Sequence, residues 1–168
     1  MKWIGVLFVF VGCGYIGVLC GHCYRQEEAC LQQLCEHLQY MICQLRYQQT
    51  PLPELFSQLK TEAKQPLRTF FAHVFDELQT RTSSDASGCL MRALESSSNL
   101  PAQTRACLLL LGRSLGRFDL SGQLSGAETV YEHCKEKCAK MEKNHTVYIR
   151  SYMIFGLCAG AAIAVLLL

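Results

Sequence analysis

The sequence predicts an all-α protein: a six-helix cytoplasmic bundle flanked by an N-terminal and a C-terminal transmembrane helix. Three observations lead there. Apolar residues recur at spacings of three and four through most of the stretch between 26 and 148, which places them on one face of a helix. Prolines stand only at 51, 53, 66 and 101, where each fits the first turn of a new helix but not a helix interior. Apart from Lys2, every charged residue lies between Arg25 and Arg150, in a chain of 168 residues with 50% hydrophobic content. The uncharged ends divide the chain into an anchor (1–24), a helical domain (25–150) and a C-terminal span (151–168), the first long enough to cross a bilayer and the last near the lower limit.

The N-terminal run admits two readings. Lys2 followed by an apolar segment and Phe10-Val11-Gly12-Cys13 resembles a lipoprotein cleavage box. The apolar run, however, continues through Tyr15, Ile16, Val18 and Leu19, longer than a signal core, and this favours an uncleaved anchor. Gly17 and Gly21 form a small-xxx-small pair suited to helix contact in lipid. Lys135, Lys137, Lys140, Lys143 and Arg150 crowd the domain side of the second span, so the positive-inside rule puts the domain in the cytoplasm.

Eleven cysteines are spread along the chain. Their number is odd and most occupy apolar positions of helical patterns, where a reduced thiol behaves as a small hydrophobe. Reduced cytosol is therefore the simpler compartment. Cys20-Gly21-His22-Cys23 has the active-site spelling of protein disulfide isomerases, which raises a membrane-tethered thiol oxidoreductase using Cys20 and Cys23 as an alternative function. In those enzymes the motif opens a helix after a strand, and the helix N-terminus lowers the first thiol's pKa. Here the motif is expected to close an apolar helix with no such strand, which disfavours the redox reading.

The first bundle helix is expected over 26–49, with Leu31, Leu34, Leu38, Met41 and Leu45 as its stripe and Cys30, Cys35 and Ile42 widening it. Thr50-Pro51-Leu52-Pro53-Glu54 resets the chain. A second helix then runs to about Ala63 with Leu52, Leu55, Phe56 and Leu59 on its apolar face. Pro66 opens a third carrying Leu67, Phe70, Phe71, Val74, Phe75 and Leu78, the densest aromatic cluster and a core rather than a ligand box. Thr80 to Gly88 reads as a polar loop. A short helix is expected over about Cys89 to Ser96, and Ser98-Asn99-Leu100-Pro101 caps and starts a fifth to Leu115.

The stretch Leu108 to Gln123 organises the C-terminal part of the chain. Leu111-Gly112 and Leu115-Gly116 each read as a helix stop, since glycine permits positive φ. Asp119 then caps the sixth helix through its side-chain oxygen and charge. No proline interrupts the pattern from there to Leu168, so a single helix would be about 75 Å long at roughly 1.5 Å per residue. Its stripe is Leu120, Leu124, Ala127, Tyr131, Cys134, Cys138, Met141, His145 and Tyr148. Cys134 and Cys138, with His145 on the same face, suggest part of a zinc site, but a fourth ligand is missing and core packing is the stronger reading. Gly156 and Gly160 repeat the four-residue glycine spacing in the last span.

The chain carries no Walker loop, no dinucleotide-binding glycine fingerprint, no nucleophile elbow and no HExxH. It also lacks a basic stripe interleaved with aromatics, which argues against nucleic-acid binding. Catalytic residues, metal ligands and cofactors are therefore not assigned, and the reading is an interaction module rather than an enzyme.

With these residues in view, the chain resembles the stage III sporulation protein AB family of endospore-forming bacteria. The resemblance rests on the N-terminal span, on Tyr47 followed by Thr50-Pro51-Leu52-Pro53-Glu54-Leu55, on Leu111-Gly112-Arg113-Ser114-Leu115-Gly116 with Asp119 and Gln123, and on the terminal span. The family's acidic residues near the end of the first helix are replaced here by Gln39 and Met41. The resemblance implies a domain similar to the F-domain of type II secretion platform proteins, anchored in the mother-cell membrane facing the forespore. It implies a scaffold role in the channel complex required for endospore formation. A secretion-type ATPase, stage III sporulation protein AA, and other membrane proteins of that complex are the implied partners, and homo-oligomerisation stays open. Thr50, Pro51, Pro53, Glu54, Gly112, Gly116, Asp119 and Gln123 are the positions expected to carry structure or interaction, with Gly17, Gly21, Gly156 and Gly160 packing the spans. A helical adaptor outside sporulation would use the same surfaces with another partner.

Overall fold

In the computed structural model the backbone is described over residues 2–80, 86–115 and 120–167, and side chains within the two long end helices are described mainly over 21–43 and 121–144. Six helices account for it: α1 (Lys2–Cys43), α2 (Leu52–Glu62), α3 (Leu67–Thr80), α4 (Ala86–Ser96), α5 (Ala102–Ser114) and α6 (Leu120–Leu167). No strand occurs among the described residues. The chain divides into two compact units, residues 29–138 and residues 1–28 with 139–168.

In the unit formed by the chain's two ends, the Tyr24 hydroxyl donates to the Met141 carbonyl at 3.1 Å. Among the described residues no helix is long and apolar enough to cross a membrane. The two expected spans lie mostly among residues whose side chains are outside the description, as do the surroundings of Gly17, Gly156 and Gly160. A Cβ added at Gly21 would meet nothing within 4 Å among the described residues, so no close approach is built on that glycine there. α1 runs without a break through Cys20-Gly21-His22-Cys23. The expectation that this motif closes a helix is therefore corrected: it stands mid-helix, at neither end of a helix dipole.

The bundle unit is built on α1. Cys30, Leu31, Leu34, Leu38, Met41 and Leu45 are buried, the period that the sequence sets for one face of a helix. Around that face α2 packs on α3, α3 on α4 and α4 on α5. Leu55, Phe56, Leu59, Leu67, Phe70, Phe71, Val74, Leu90 and Leu108 are each at most 2% exposed, and full burial of each such side chain contributes about 1.5–3 kcal/mol relative to exposure. The polar loop expected over Thr80 to Gly88 is shorter than its composition suggests. Thr80 ends α3 and Ala86 already begins α4, leaving 81–85 outside the description.

The start of α5 and the role of Gly112 differ from expectation. α5 begins at Ala102 behind Pro101, whose carbonyl accepts from the Arg105 N–H at 2.9 Å, and no side chain caps it. Gly112 is buried inside α5 rather than at a stop. The helix ends at Leu115, the second of the two expected stops, in extended backbone (φ −81°, ψ 135°), with its N–H on the Leu111 carbonyl. Leu115 is fully buried, so the chain leaves α5 anchored by a side chain. Gly116 and Asp119 lie outside the described residues.

Gly126 is the glycine that packing requires. A Cβ there would sit 2.4 Å from Ser114 Cβ and 3.0 Å from Ser114 Oγ, so α6 passes the end of α5 at a distance only glycine permits. Gly126→Ala would gain about 1 kcal/mol of helix propensity and lose about 1–3 kcal/mol to overpacking. A net loss of about 1 kcal/mol is expected in urea unfolding followed by circular dichroism. In a Ser114→Gly background the same change is expected to reverse sign and stabilise, since the obstructing atoms are gone.

His37 sits in the core facing α3. It is 9% exposed, meets Phe71 edge-on at 5.5 Å and 88°, and its Nε2 finds no hydrogen-bond partner among the described residues. Burial lowers its pKa from the ordinary 6.5, against the opposing pull of Glu62 and Glu36. The unfolded chain then binds a proton more readily than the fold does, so stability is full above the ordinary pKa and falls as pH drops through it. Unfolding midpoints between about pH 7 and pH 5 should decline in the wild type, and His37→Leu should flatten that part of the profile.

Candidate functional site

Three helices of the bundle unit bring cysteines to one place. On α1, Cys35 flanks the buried stripe one turn after Leu31. On α6, Cys134 and Cys138 are four residues apart and therefore on one face. On α5, Cys107 lies in the buried row with Thr104, Leu108 and Leu111. Cys107 and Cys134 are fully buried, while Cys35 and Cys138 are half-buried. All four are free thiols.

The sulfurs converge. Cys35 Sγ donates to Cys134 Sγ at 3.0 Å and lies 3.4 Å from Cys138 Sγ. Cys134 Sγ also reaches the Leu31 carbonyl at 3.7 Å. The sulfurs of Cys35, Cys134 and Cys138 all fall within 4.8 Å of one another, an arrangement that can hold a metal ion. Cys107 lies outside that trio but neighbours Cys134 closely enough for the two to shift each other's titration.

This packing divides the thiols electrically. Hydrogen bonding shared with Cys134 and Cys35 holds Cys138 down to about 4 against the effect of burial. Cys107 is also lowered, chiefly by Cys134 and further by Lys137. Cys134 is pushed strongly up by Cys107, Cys138 and Cys35. For Cys35 the bond with Cys134 pulls downward, but the bond with Cys138, burial, and the charges of Cys138 and Cys107 outweigh it and push the thiol up to about 12. The cluster thus keeps two protonated thiols that stabilise a thiolate at its half-exposed edge.

The zinc reading of the sequence rests on Cys134, Cys138 and His145 and lacks further ligands. His145 lies outside the described side chains. The tertiary structure brings Cys35 and Cys107 instead. In the sequence Cys35 reads as part of an apolar stripe, and no motif singles out Cys107. The one available signal is that cysteines occupy core-facing positions of three separate helices.

Of the other expected positions, Thr50, Pro51, Pro53 and Glu54 stand at the corner between α1 and α2. Tyr40 donates to Gln58 Oε1 at 2.6 Å, Gln44 Nε2 donates to the Tyr40 hydroxyl at 2.9 Å, and Thr50 Oγ1 donates to Gln44 Oε1 at 3.1 Å. This relay clamps the corner where α1 ends in a π-turn over Gln44–Gln48 and where Gln49 takes φ 51°. Pro51 stands at the N-cap of α2, and Pro53 and Glu54 lie exposed in its first turn. Tyr47, beside them in sequence, is 76% exposed. Gly112 faces Leu90 and Met91 at ordinary contact distance, and Gln123 is half-buried on α6. These residues do not gather around the cysteines.

Residues 2–168 match the family model described as stage III sporulation protein AB. A solved structure of a stage III sporulation protein AB is similar over 71% of this chain and 96% of that one, at 23% identity and a TM-score of 0.63. No curated protein sequence matches.

The unequal thiols predict unequal alkylation. In reduced, metal-free protein at about pH 6, iodoacetamide should label Cys138 ahead of Cys35 and Cys134, as read by peptide mass mapping. The Cys138 rate should already have reached its plateau, because the thiolate is formed above about 4. Cys35→Ala, which leaves no hydrogen-bonding group at that position, should shift that plateau to higher pH.

Proposed function

The chain belongs to the stage III sporulation protein AB family and so takes part in sporulation, and we propose that it does so as a non-enzymatic, membrane-anchored platform. In this reading the bundle, similar to a type II secretion F-domain, stands in the cytoplasm of the mother cell. The uncharged runs 3–24 and 151–168 hold it in the membrane facing the forespore. Its task is to couple a secretion-type ATPase, stage III sporulation protein AA, to the other membrane proteins of the channel complex.

The observation that carries the proposal is the family match along residues 2–168, which takes in both apolar ends as well as the bundle. The corner at Tyr47, Pro51, Pro53 and Glu54 supports it, because its side chains are exposed while the backbone beneath is clamped by the Tyr40–Gln44–Thr50 relay. A rigid, exposed corner is suited to binding a partner at low ordering cost.

Deletion is expected to arrest development after the forespore is engulfed, and normal spores from the deletion strain would overturn the assignment. The purified chain should retain the ATPase on a column without hydrolysing nucleotide itself, and Tyr47→Ala with Glu54→Ala should weaken that retention while leaving the helical circular dichroism unchanged. A single cysteine at Ser84, in a background without other cysteines, should resist membrane-impermeant labelling in intact cells and react after permeabilisation. Labelling before permeabilisation would reverse the proposed orientation.

A further inference from the structure

We propose that Cys35, Cys134 and Cys138, with Cys107 as fourth donor, form a binding site for one thiophilic cation of the zinc class, tying α1, α5 and α6 together.

The donor set selects the ion. Three sulfurs converge within 4.8 Å and a fourth adjoins Cys134. Sulfur-only sites suit zinc and other soft cations, whereas magnesium and calcium require oxygen. Tetrahedral zinc at about 2.3 Å from each sulfur places neighbouring sulfurs about 3.8 Å apart. The contacts of 3.0 and 3.4 Å open by less than about 1 Å to reach that spacing.

Support and access are both present. Cys134 and Cys138 are held in fixed register by one helix, and Cys35 is carried by the buried stripe of another, so the donors stand on rigid elements rather than loops. Cys107 and Cys134 close the inner side, while the half-buried Cys35 and Cys138 leave an edge through which an ion can enter. Cys35 lies close to both cysteines of α6, so the geometry singles out no one pair for a disulfide, whereas a shared cation uses all of them. Binding releases a proton from each ligand that is still a thiol, Cys138 being a thiolate already, and needs no oxidant. The site does not depend on which protein the bundle engages.

Cobalt(II) titration of the full chain, purified in detergent under a phosphine reductant, tests it. One equivalent should develop a sulfur-to-cobalt charge-transfer band and intense tetrahedral visible bands, both displaced by zinc. Cys35→Ser and Cys138→Ser, at half-buried positions, should each weaken binding by more than the roughly tenfold that loss of an outer-shell partner costs, with unchanged circular dichroism. Cys43→Ser, an exposed thiol away from the cluster, should titrate as the wild type. Absence of the charge-transfer band in excess cobalt, or its persistence in both Cys35→Ser and Cys138→Ser, overturns the site. A two-hydrogen mass deficit without metal in protein isolated anaerobically also overturns it, in favour of a disulfide. An unchanged spectrum in Cys107→Ser overturns that residue's assignment as fourth donor.

Discussion

Burial of one face of α1 is the constraint on which the bundle unit rests. That face meets α3 through His37 and Phe71, α2 through Tyr40 and Gln58, and α6 through Cys35 and Cys134. Helices α2 to α5 are short, 11 to 14 residues each, and helices of that length are marginal in water without tertiary packing. Removing the α1 surface would leave them with apolar faces and no common partner. The His37 ring lies within that interface, edge-on to Phe71 and 9% exposed.

The ends of the helices around this core are fixed by different means. Hydrogen bonding dominates where α1 stops, with four side chains in relay and a left-handed Gln49 turning the chain into α2. Hydrophobic anchoring dominates where α5 stops, because Leu115 leaves the helix in extended backbone and is itself buried. Close packing then governs the passage of α6 past Ser114, which Gly126 alone permits. The exposed Arg46–Glu128 ion pair joins the π-turn after α1 to α6, but pairs so exposed contribute at most about 1 kcal/mol. Packing, rather than charge, sets how α6 lies on the bundle.

Family membership and the thiol cluster bear on different questions. The match along residues 2–168 places the chain in sporulation, and the α1–α2 corner exposes Tyr47, Pro51, Pro53 and Glu54 on its surface. The cysteines lie inside, between helices that are distant in sequence, and act on the bundle's own cohesion. A cation there would join the first helix of the chain to its fifth and sixth at a single point, which loop connections alone do not do.

Much of the architecture was legible from local chemistry. The period of three and four along 30–45, the prolines at 51, 53, 66 and 101, and the uninterrupted run after 120 determine where helices form, because helix periodicity and proline's missing N–H act over a few neighbouring residues. The resemblance to the family was equally readable from two short motifs. The tertiary structure decided what depends on residues far apart in sequence. Gly112 resembles a helix stop in one dimension, yet it is an interior position facing Leu90 and Met91, and Gly126 became critical only when Ser114 was brought against it. Cys20 to Cys23, which has the spelling of a redox motif, lies mid-helix. Cys35, Cys107, Cys134 and Cys138, separated by up to 103 positions, form one cluster because three apolar helix faces share a core, and no local rule of spacing encodes which faces will meet.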